Sequence, residues 1–262
     1  MTMHDVFIGY TASQDVVYQV ARSSIERRSR SARCRPIVQK ALRDLGIYTR
    51  PNGPLESTEF SITRFLTPWL AGYRGWALFM DNDMVVLDDI AGLFALADDR
   101  YAVMCVKHDD QPTGTVKLDG KPQTPYPRKN WSSVILWNLE HPKNRMLTPD
   151  LINEATALYL HRFMWLEDHE IGELPATWNW LVGWHPETRD PMPKLLHYTE
   201  GGPYFRRSRE CAYGDVWTHE FALHPDWLST RAAHHQLRHK APEPVARFTG
   251  GGGEHHAAPG DE

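Results

Sequence analysis

The sequence has few cysteines and no long apolar run. Only three cysteines occur among 262 residues, Cys34, Cys105 and Cys211, and they are too scattered to indicate a disulfide framework or a zinc site. Such sparse cysteine usage suits a reducing compartment. No run approaches the ~18 apolar residues of a membrane span, and the N-terminus lacks the basic and apolar regions of a secretion signal. We therefore expect a cytoplasmic protein.

The chain also lacks an excess of positive charge. Its formal net charge of -4 argues against a surface that binds nucleic acid along the whole chain, so no nucleic-acid partner is expected. A hydrophobic fraction of 41% and a charged fraction of 24% are ordinary for a globular protein. The length predicts one main domain over residues 1–240. Residues 241–262 are rich in Pro, Gly and His, a composition that cannot bury a core, and are predicted to form a disordered tail.

Apolar runs and helix-like spacings alternate along the chain. They predict strands at 5–10, 35–39, 76–80, 101–107, 134–139 and 195–198, and helices at 14–27, 59–73, 90–96 and 149–160. Pro68 is expected to kink or restart the helix in which it lies. The segment 109–130, which is rich in Pro, Lys, Thr and Gly, is predicted to be a long loop, and long loops in compact domains are often functional. Alternation of this type indicates an α/β fold with a mainly parallel sheet and helices on both faces.

The most informative segment reads W-A-L-F-M-D-N-D-M-V-V-L-D-D over residues 76–89. Its first apolar run ends at Asp81 and Asp83, which places both carboxylates at the carboxyl end of a buried strand, where open α/β sheets bind ligands. Carboxylate oxygens suit magnesium or manganese, and such ions keep coordination sites for water and phosphate. The pair therefore points to nucleotide-diphosphate chemistry. The alternative is a solvated Asp-Asn-Asp turn between two strands.

A second candidate motif, H-Y-T-E-G-G-P-Y-F, begins at His197. A histidine at the end of a short apolar strand would add a nitrogen ligand to a metal, while the backbone of Gly201 and Gly202 approaches a pyrophosphate. The alternative is a buried strand histidine followed by a tight turn. Because more than a hundred residues separate this motif from Asp81 and Asp83, only the fold can bring the two together.

Five segments, in order, resemble glycosyltransferase family 8, which includes glycogenin and bacterial lipopolysaccharide galactosyl- and glucosyltransferases. D-V-F-I-G-Y-T-A-S-Q-D is similar to the family's uridine-binding β-α unit. S-I-T-R-F-L followed by F-M-D-N-D keeps an arginine, Arg64, seventeen residues before Asp81. The other three are N-W-S-S-V-I-L-W-N-L, L-P-A-T-W-N-W-L and H-Y-T-E-G-G-P-Y-F. The resemblance covers most of residues 5–205.

This resemblance implies a GT-A-like, Rossmann-type fold with a mixed, mainly parallel sheet flanked by helices. It implies transfer of a hexose, with retention, from a nucleotide sugar, usually a UDP-sugar, to a carbohydrate or glycolipid acceptor, as in polysaccharide or lipopolysaccharide biosynthesis. Manganese, or magnesium, would be held by Asp81, Asp83 and His197. The donor-binding residues implied are Phe7, Gly9, Tyr10, Thr11, Arg64, Asn82, Gly201 and Gly202. The catalytic residues implied are Asp168, Glu170 and Arg64.

Three positions depart from the family pattern. Thr11 stands where the family often has an acidic residue for uracil, Trp131 stands where it has an asparagine, and Gly202 stands where a lysine commonly precedes the proline. A cation for the diphosphate would then come from elsewhere, with Arg206, Arg207 and Arg64 as the candidates. These departures keep open a degenerate donor-binding protein without turnover. A nucleotidyltransferase is a further alternative, although residues 9–16 lack its Gly-rich basic loop.

Two further candidate sites have an ordinary alternative. Helical spacing alone makes Arg64 a solvated surface residue, whereas the resemblance makes it a bidentate partner for donor phosphate or for the metal-site carboxylates. Asp168 and Glu170 lie in an acidic run of the kind that is usually solvated, but either would be able to orient sugar hydroxyls or shield an oxocarbenium-like transition state.

A basic segment follows the part of the chain that resembles the family. Residues 226–240 form a candidate amphipathic helix that carries Arg231, Arg238 and Lys240. Such a surface would suit peripheral contact with anionic lipid at the inner face of a membrane. The alternative is a solvated terminal helix, since the segment has few apolar residues.

Overall fold

The computed structural model describes residues 2–53, 58–108, 128 and 130–224. The predicted basic helix at 226–240, the predicted tail at 241–262 and most of the predicted loop at 109–130 lie outside these residues. Where the chain is described, no helix combines the length and apolar character needed to cross a bilayer.

The described residues contain nine strands and seven α-helices. The strands are β1 His4–Tyr10, β2 Ala32–Val38, β3 Trp76–Met80, β4 Met84–Val86, β5 Val103–Cys105, β6 Val134–Asn138, β7 Ile171–Glu173, β8 Trp180–Leu181 and β9 Leu195–His197. The α-helices are α1 Asp15–Arg28, α2 Gln39–Asp44, α3 Thr67–Leu70, α4 Ala91–Phe94, α5 Pro149–Glu154, α6 Ala157–His161 and α7 Gly214–Ala222. Short 3₁₀ helices occur at Ala12–Gln14, Thr63–Leu66, Trp131–Ser133, Pro142–Met146, Asp168–Glu170, Ala176–Trp178 and Arg206–Ser208.

Six strands form a central sheet in the order β2-β1-β3-β6-β5-β7. β1 pairs in parallel with β2 and β3, and β5 pairs in parallel with β7, whereas β6 is antiparallel to both of its neighbours, β3 and β5. Five strands therefore run in one direction, which confirms the predicted mixed, mainly parallel sheet. We call the edge at which these five strands end the carboxyl edge, and the opposite one the amino edge.

Side chains that alternate along the central strands pack into two separate apolar layers, one on each face of the sheet. On β3, Leu78 and Met80 pack with apolar residues of α1 and α4, whereas Ala77 and Phe79 pack with residues of α2, α5 and α6. This period of two follows from the pleat, which turns successive side chains to opposite faces. Because both faces are covered by helices, the strands read as nearly continuous apolar runs.

A small second sheet lies beside the central one. Its order is β4-β9-β8, with β4 antiparallel to β9 and β8 parallel to β9. Val16 and Val20 of α1 share a buried cluster with Val85 of β4, Leu196 of β9 and Trp217 of α7. Helix α1 therefore packs against both sheets and fixes one relative to the other.

Several element predictions need correction. The helix predicted at 59–73 is a 3₁₀ turn followed by α3, which restarts with Pro68 in its first turn, where a missing N–H removes no helical hydrogen bond. The helix predicted at 149–160 is split, because Ala155 is extended and the Thr156 side chain caps α6. Strands β7 and β8 and helices α2 and α7 were not predicted, since each is too short to show a clear apolar period.

A buried ion pair attaches α7 to α1. The Glu220 side chain is 1% exposed and is paired with Arg27 and Arg28, the Arg28 Nη2 lying 2.7 Å from Oε1. Desolvation lowers the pKa of both guanidinium groups, consistent with their partial burial. A charge in such a position depends on its partners, because its side chain is almost completely shielded from water.

We predict that Glu220→Gln lowers the free energy of unfolding by about 2 kcal/mol, below the ~3–5 kcal/mol of a fully buried pair, because both arginines keep partial access to solvent. Urea unfolding monitored by circular dichroism measures this. The matched control is Glu26→Gln, which removes an exposed ion pair between Arg22 and Glu26, both on α1. It should lower the free energy of unfolding by less than about 0.5 kcal/mol. Equal effects of the two substitutions would contradict a role of Glu220 in attaching α7.

Candidate metal centre at the carboxyl edge of the sheet

Asp81, Asp83 and His197 meet at the carboxyl edge. Asp81 directly follows β3, and its backbone N–H donates to the Ser133 carbonyl at 3.0 Å. The antiparallel pairing of β4 with β9 brings His197 beside Asp83, and the Tyr198 N–H donates to the Asp83 carbonyl at 2.9 Å. One ligand atom from each of the three side chains lies within 4.8 Å of the others. The structure thus joins the three residues predicted as metal ligands.

The donor atoms fit a divalent cation. Two carboxylates and one imidazole supply hard oxygen and borderline nitrogen ligands, a set that suits manganese or magnesium. The His197 Nε2 lies 3.4 Å from Asp83 Oδ1, so nitrogen and oxygen converge on one point. Three protein ligands leave further positions of an octahedral ion for water or phosphate oxygens. The identity of the metal does not follow from this geometry.

Arg64 is buried, so the prediction of a solvated arginine from helical spacing is wrong. Its side chain is 6% exposed, and Nη1 lies 2.8 Å from Asp81 Oδ1. The same nitrogen donates to the Ser132 carbonyl at 2.7 Å, and Nε donates to the Phe60 and Ser61 carbonyls. The spacing argument failed because residues 59–73 do not form one regular helix. These contacts make Arg64 a partner of the metal-site carboxylate, one of the two roles that the resemblance implies.

An aromatic cage holds the Arg64 guanidinium in place. The guanidinium carbon lies 5.4 Å from the Phe60 ring centroid and 5.0 Å from that of Phe79. A β-carbon at Gly9 would come within 2.4 Å of the Phe60 ring. Gly9 therefore has a packing reason to be glycine, because any side chain there would displace the ring that lies over Arg64. Its predicted donor contact stays a prediction.

Two other predicted donor-binding residues, Thr11 after β1 and Asn82 after β3, are connected through Gln14. Asn82 donates to Gln14 Oε1 at 3.2 Å, and the Gln14 N–H donates to the Thr11 carbonyl at 2.8 Å. The Thr11 hydroxyl and the Asn82 side-chain oxygen are buried without a hydrogen-bond partner among the described residues. Tyr10 donates to Asp15, whereas Phe7 lies within the core. Two unsatisfied polar atoms at one edge mark a place where a polar ligand would be accommodated.

The glycines after His197 form a tight turn. Gly201 has a φ of +104°, a conformation that favours glycine. A β-carbon at Gly202 would lie 2.5 Å from the Tyr204 ring. Burial, with the nearby charge of Asp83, raises the pKa of Tyr204 well above its usual value. Gly202 therefore lets a neutral phenol pack close to the metal ligands. The alternative cations for the diphosphate, Arg206 and Arg207, are exposed just beyond this turn.

Asp168 and Glu170 occupy the 3₁₀ helix that precedes β7. The Glu170 carbonyl accepts from the Ala102 N–H just before β5, which places Glu170 at the amino edge of the sheet. Glu170 accepts from the Glu167 N–H at 2.7 Å and lies 2.6 Å from Lys143 Nζ, contacts that lower the pKa of its carboxyl group despite desolvation, which acts in the opposite direction. Asp168 is paired with Arg128. These contacts give Glu170 a structural function, and the predicted catalytic role of both residues stays a prediction.

Three residues near the centre were not singled out from the sequence. Ser133 and Asn179 lie within motifs of the family resemblance, but nothing in the sequence shows that they connect to His197. His108 follows β5 and is 6% exposed; burial, followed by the charges of His185 and His197, lowers the pKa of His108 to about 3. Its only sequence indication is its place after an apolar strand, at the carboxyl edge.

Comparisons with known proteins agree on the architecture. No family model matches the chain. Protein CDI of Arabidopsis thaliana is 50% identical over 219 residues, which cover 82% of this chain and 85% of that protein. Among solved structures, the glycosyltransferase GlyE of Streptococcus pneumoniae TIGR4 is similar with a TM-score of 0.59 at 16% identity, covering 87% of this chain and 64% of GlyE.

The bifunctional glycosyltransferase WbbM is similar with a TM-score of 0.62 at 14% identity, and 87% of this chain spans 51% of WbbM. An active-site mutant of LgtC is similar with a TM-score of 0.50 at 11% identity, over 86% of this chain and 99% of LgtC. At such identities the likeness concerns the fold, which is that of GT-A glycosyltransferases.

We predict that Arg64→Met lowers the free energy of unfolding of the metal-free protein by about 3–5 kcal/mol, because it leaves the Asp81 carboxylate without its buried counter-charge. Guanidinium unfolding in the presence of a chelator measures this. Arg74→Met, at an exposed position of the loop before β3, is the control and should change stability by less than about 0.5 kcal/mol. A cost for Arg64→Met as small as the control's would contradict the role assigned to the ion pair.

Proposed function

The chain belongs to the same family as Protein CDI of Arabidopsis thaliana, and we propose that it is a metal-dependent glycosyltransferase. The observation that carries this proposal is the convergence of Asp81, Asp83 and His197 at the carboxyl edge of a GT-A sheet. A fold alone does not define an activity, so the proposal depends on the chemistry of that edge.

The chemistry required is departure of a nucleoside diphosphate from a sugar carbon. A divalent ion held by Asp81, Asp83 and His197 would supply neutralisation of the charge on the leaving diphosphate. Arg64 keeps the Asp81 carboxylate aimed at the centre, because it binds that carboxylate and two separate backbone segments at once. Tyr204 and the neutral His108 add polar but uncharged groups, which leave the cation's charge available to the phosphates.

The finer assignment is a UDP-sugar donor, with Mn²⁺ as the ion, Mg²⁺ as the alternative, and a hexose as the group transferred. The sequence resemblance to glycosyltransferase family 8 supports these assignments and supports retention of configuration. The unsatisfied polar atoms of Thr11 and Asn82 beside the end of β1 support a polar donor group at that position. The acceptor we propose is a carbohydrate or glycolipid of a polysaccharide or lipopolysaccharide pathway.

Location in the cytoplasm follows from the sequence argument alone and is part of the proposal. Peripheral contact with the inner face of a membrane would involve residues 226–240, which lie outside the described part of the chain. The cytoplasmic location and the membrane contact are therefore separate proposals, and the proposed transferase activity does not depend on either.

We predict that the wild-type protein hydrolyses or transfers from one UDP-sugar in the presence of Mn²⁺, and that Asp83→Asn reduces this rate on the order of 10³-fold. The reason is that a metal contributes several kcal/mol to stabilisation of the leaving group. Asp83 is preferred to Asp81 for this test, because removing the Asp81 carboxylate would also leave the buried Arg64 without its acidic partner. Release of UDP from a panel of UDP-sugars, with and without Mn²⁺, is the measurement.

The matched control is Asp88→Asn, which removes a carboxylate just after β4 that is paired with Lys194 and is half exposed. Its rate should stay within about twofold of the wild type, because a surface pair contributes little. If the wild type binds UDP-sugars without turnover, the protein is a degenerate donor-binding protein and the proposal of an enzyme is contradicted. Equal activity of the Asp83 variant and the control would contradict a metal centre at this edge.

A further inference from the structure

A continuous chain of hydrogen bonds leads from the backbone of Asn130 to His197. The Ser133 hydroxyl donates to the Asn130 carbonyl at 2.6 Å. The Asn179 amide nitrogen donates to the Ser133 hydroxyl oxygen at 2.9 Å, and the Asn179 side-chain oxygen lies 2.9 Å from His197 Nδ1. Asn179 is fully buried and His197 is 2% exposed, so water does not compete for these contacts.

The chemistry of the groups fixes the direction of every bond in this chain. A carbonyl oxygen only accepts, so the Ser133 proton points to Asn130 and the Ser133 oxygen is left to accept. The Asn179 amide must therefore turn its nitrogen to Ser133 and its oxygen to His197. An amide oxygen also only accepts, so Nδ1 of His197 must carry the proton.

We infer that Ser133 and Asn179 are positioning residues that hold His197 as the Nδ1–H tautomer, with its Nε2 lone pair turned toward Asp83. This inference rests on the proposed function in so far as Nε2 is a metal ligand. Only the neutral nitrogen without a proton binds a metal, and the hydrogen bond at the other ring nitrogen decides which one that is. The opposite tautomer would place an N–H where the metal is to bind.

The same short segment also positions the aspartate on the other side of the centre. The Ser133 carbonyl accepts from the backbone N–H of Asp81, and the Ser132 carbonyl accepts from Arg64, which holds the Asp81 carboxylate. The 3₁₀ helix Trp131–Ser133 at the start of β6 therefore contacts both β3 and, through Asn179, β9. Its position sets the distance between carboxylate and imidazole.

The first test reads the tautomer directly in the metal-free protein. Long-range ¹H–¹⁵N correlation spectra of His197, recorded over a range of mildly alkaline pH values, distinguish the two ring nitrogens. We expect Nδ1–H in the wild type and a mixture of tautomers in Ser133→Ala, because loss of the hydroxyl removes the group that fixes the Asn179 amide. A wild-type spectrum with the proton on Nε2 would overturn the inference.

The second test is Mn²⁺ affinity, measured by electron paramagnetic resonance titration without a sugar donor. Asn179→Leu removes the acceptor and should weaken binding about 10- to 100-fold, the usual effect of removing a hydrogen-bond partner of a ligating histidine. Asn179→Asp keeps an oxygen that accepts from Nδ1–H and should restore most of the affinity. A merely structural role of Asn179 would not separate these two variants.

The matched control is Ser132→Ala. Ser132 is the neighbour of Ser133, it is equally buried, and its hydroxyl bonds to His161 rather than to the chain that leads to His197. The substitution removes only this hydroxyl and keeps the backbone carbonyl that accepts from Arg64. Its Mn²⁺ affinity should stay within about twofold of the wild type. Thermal unfolding shows whether Asn179→Leu is folded. A folded Asn179→Leu variant with the Mn²⁺ affinity of the wild type would overturn the inference. Failure of the wild type to bind Mn²⁺, with Nδ1–H still observed, would instead contradict the metal-dependent function and leave the tautomer assignment standing.

Discussion

The candidate site depends on the antiparallel pairing of β4 with β9. Asp83 precedes β4, and His197 ends β9, so the hydrogen bonds between these strands bring an imidazole from the far end of the sequence to a carboxylate at the end of β3. The pairing is itself anchored, because α1 packs against the small sheet and the central sheet together. Displacement of β9 by one residue would turn His197 to the other face of its strand and abolish the cluster.

The centre concentrates negative charge, and its surroundings are arranged to tolerate that charge. Two carboxylates so close together repel each other, and Arg64 offsets one of them from within the protein while leaving the outer side of the cluster for a cation. The aromatic rings of Phe60 and Phe79 and the glycine at position 9 keep the guanidinium in place. Burial raises the pKa of Tyr204 and lowers that of His108, so neither side chain adds a charge that would compete with a metal.

The apolar runs were sufficient to predict the strands of the central sheet that carry the site, and the position of Asp81 and Asp83 at the end of one of them. They were not sufficient for Arg64, because its burial depends on a break in the helix at 59–73 and on carbonyl groups of residues 60, 61 and 132. Ser133 and Asn179 could not be assigned from the sequence either, since their connection to His197 exists only once the fold brings together the residue before β6, the residue before β8 and the end of β9. Glu170 shows the converse, because its place at the amino edge follows from the pairing of β7 with β5, which the order of motifs in the sequence does not indicate.

The most direct test of a metal-dependent transferase is a crystal structure of the wild-type protein grown with Mn²⁺ and UDP, with anomalous diffraction recorded near the manganese edge. The account predicts one strong anomalous peak coordinated by Asp81, Asp83 and Nε2 of His197, with diphosphate oxygens of UDP completing the coordination. UDP bound elsewhere, or a cluster of the three side chains that binds no manganese while the nucleotide is present, would contradict it.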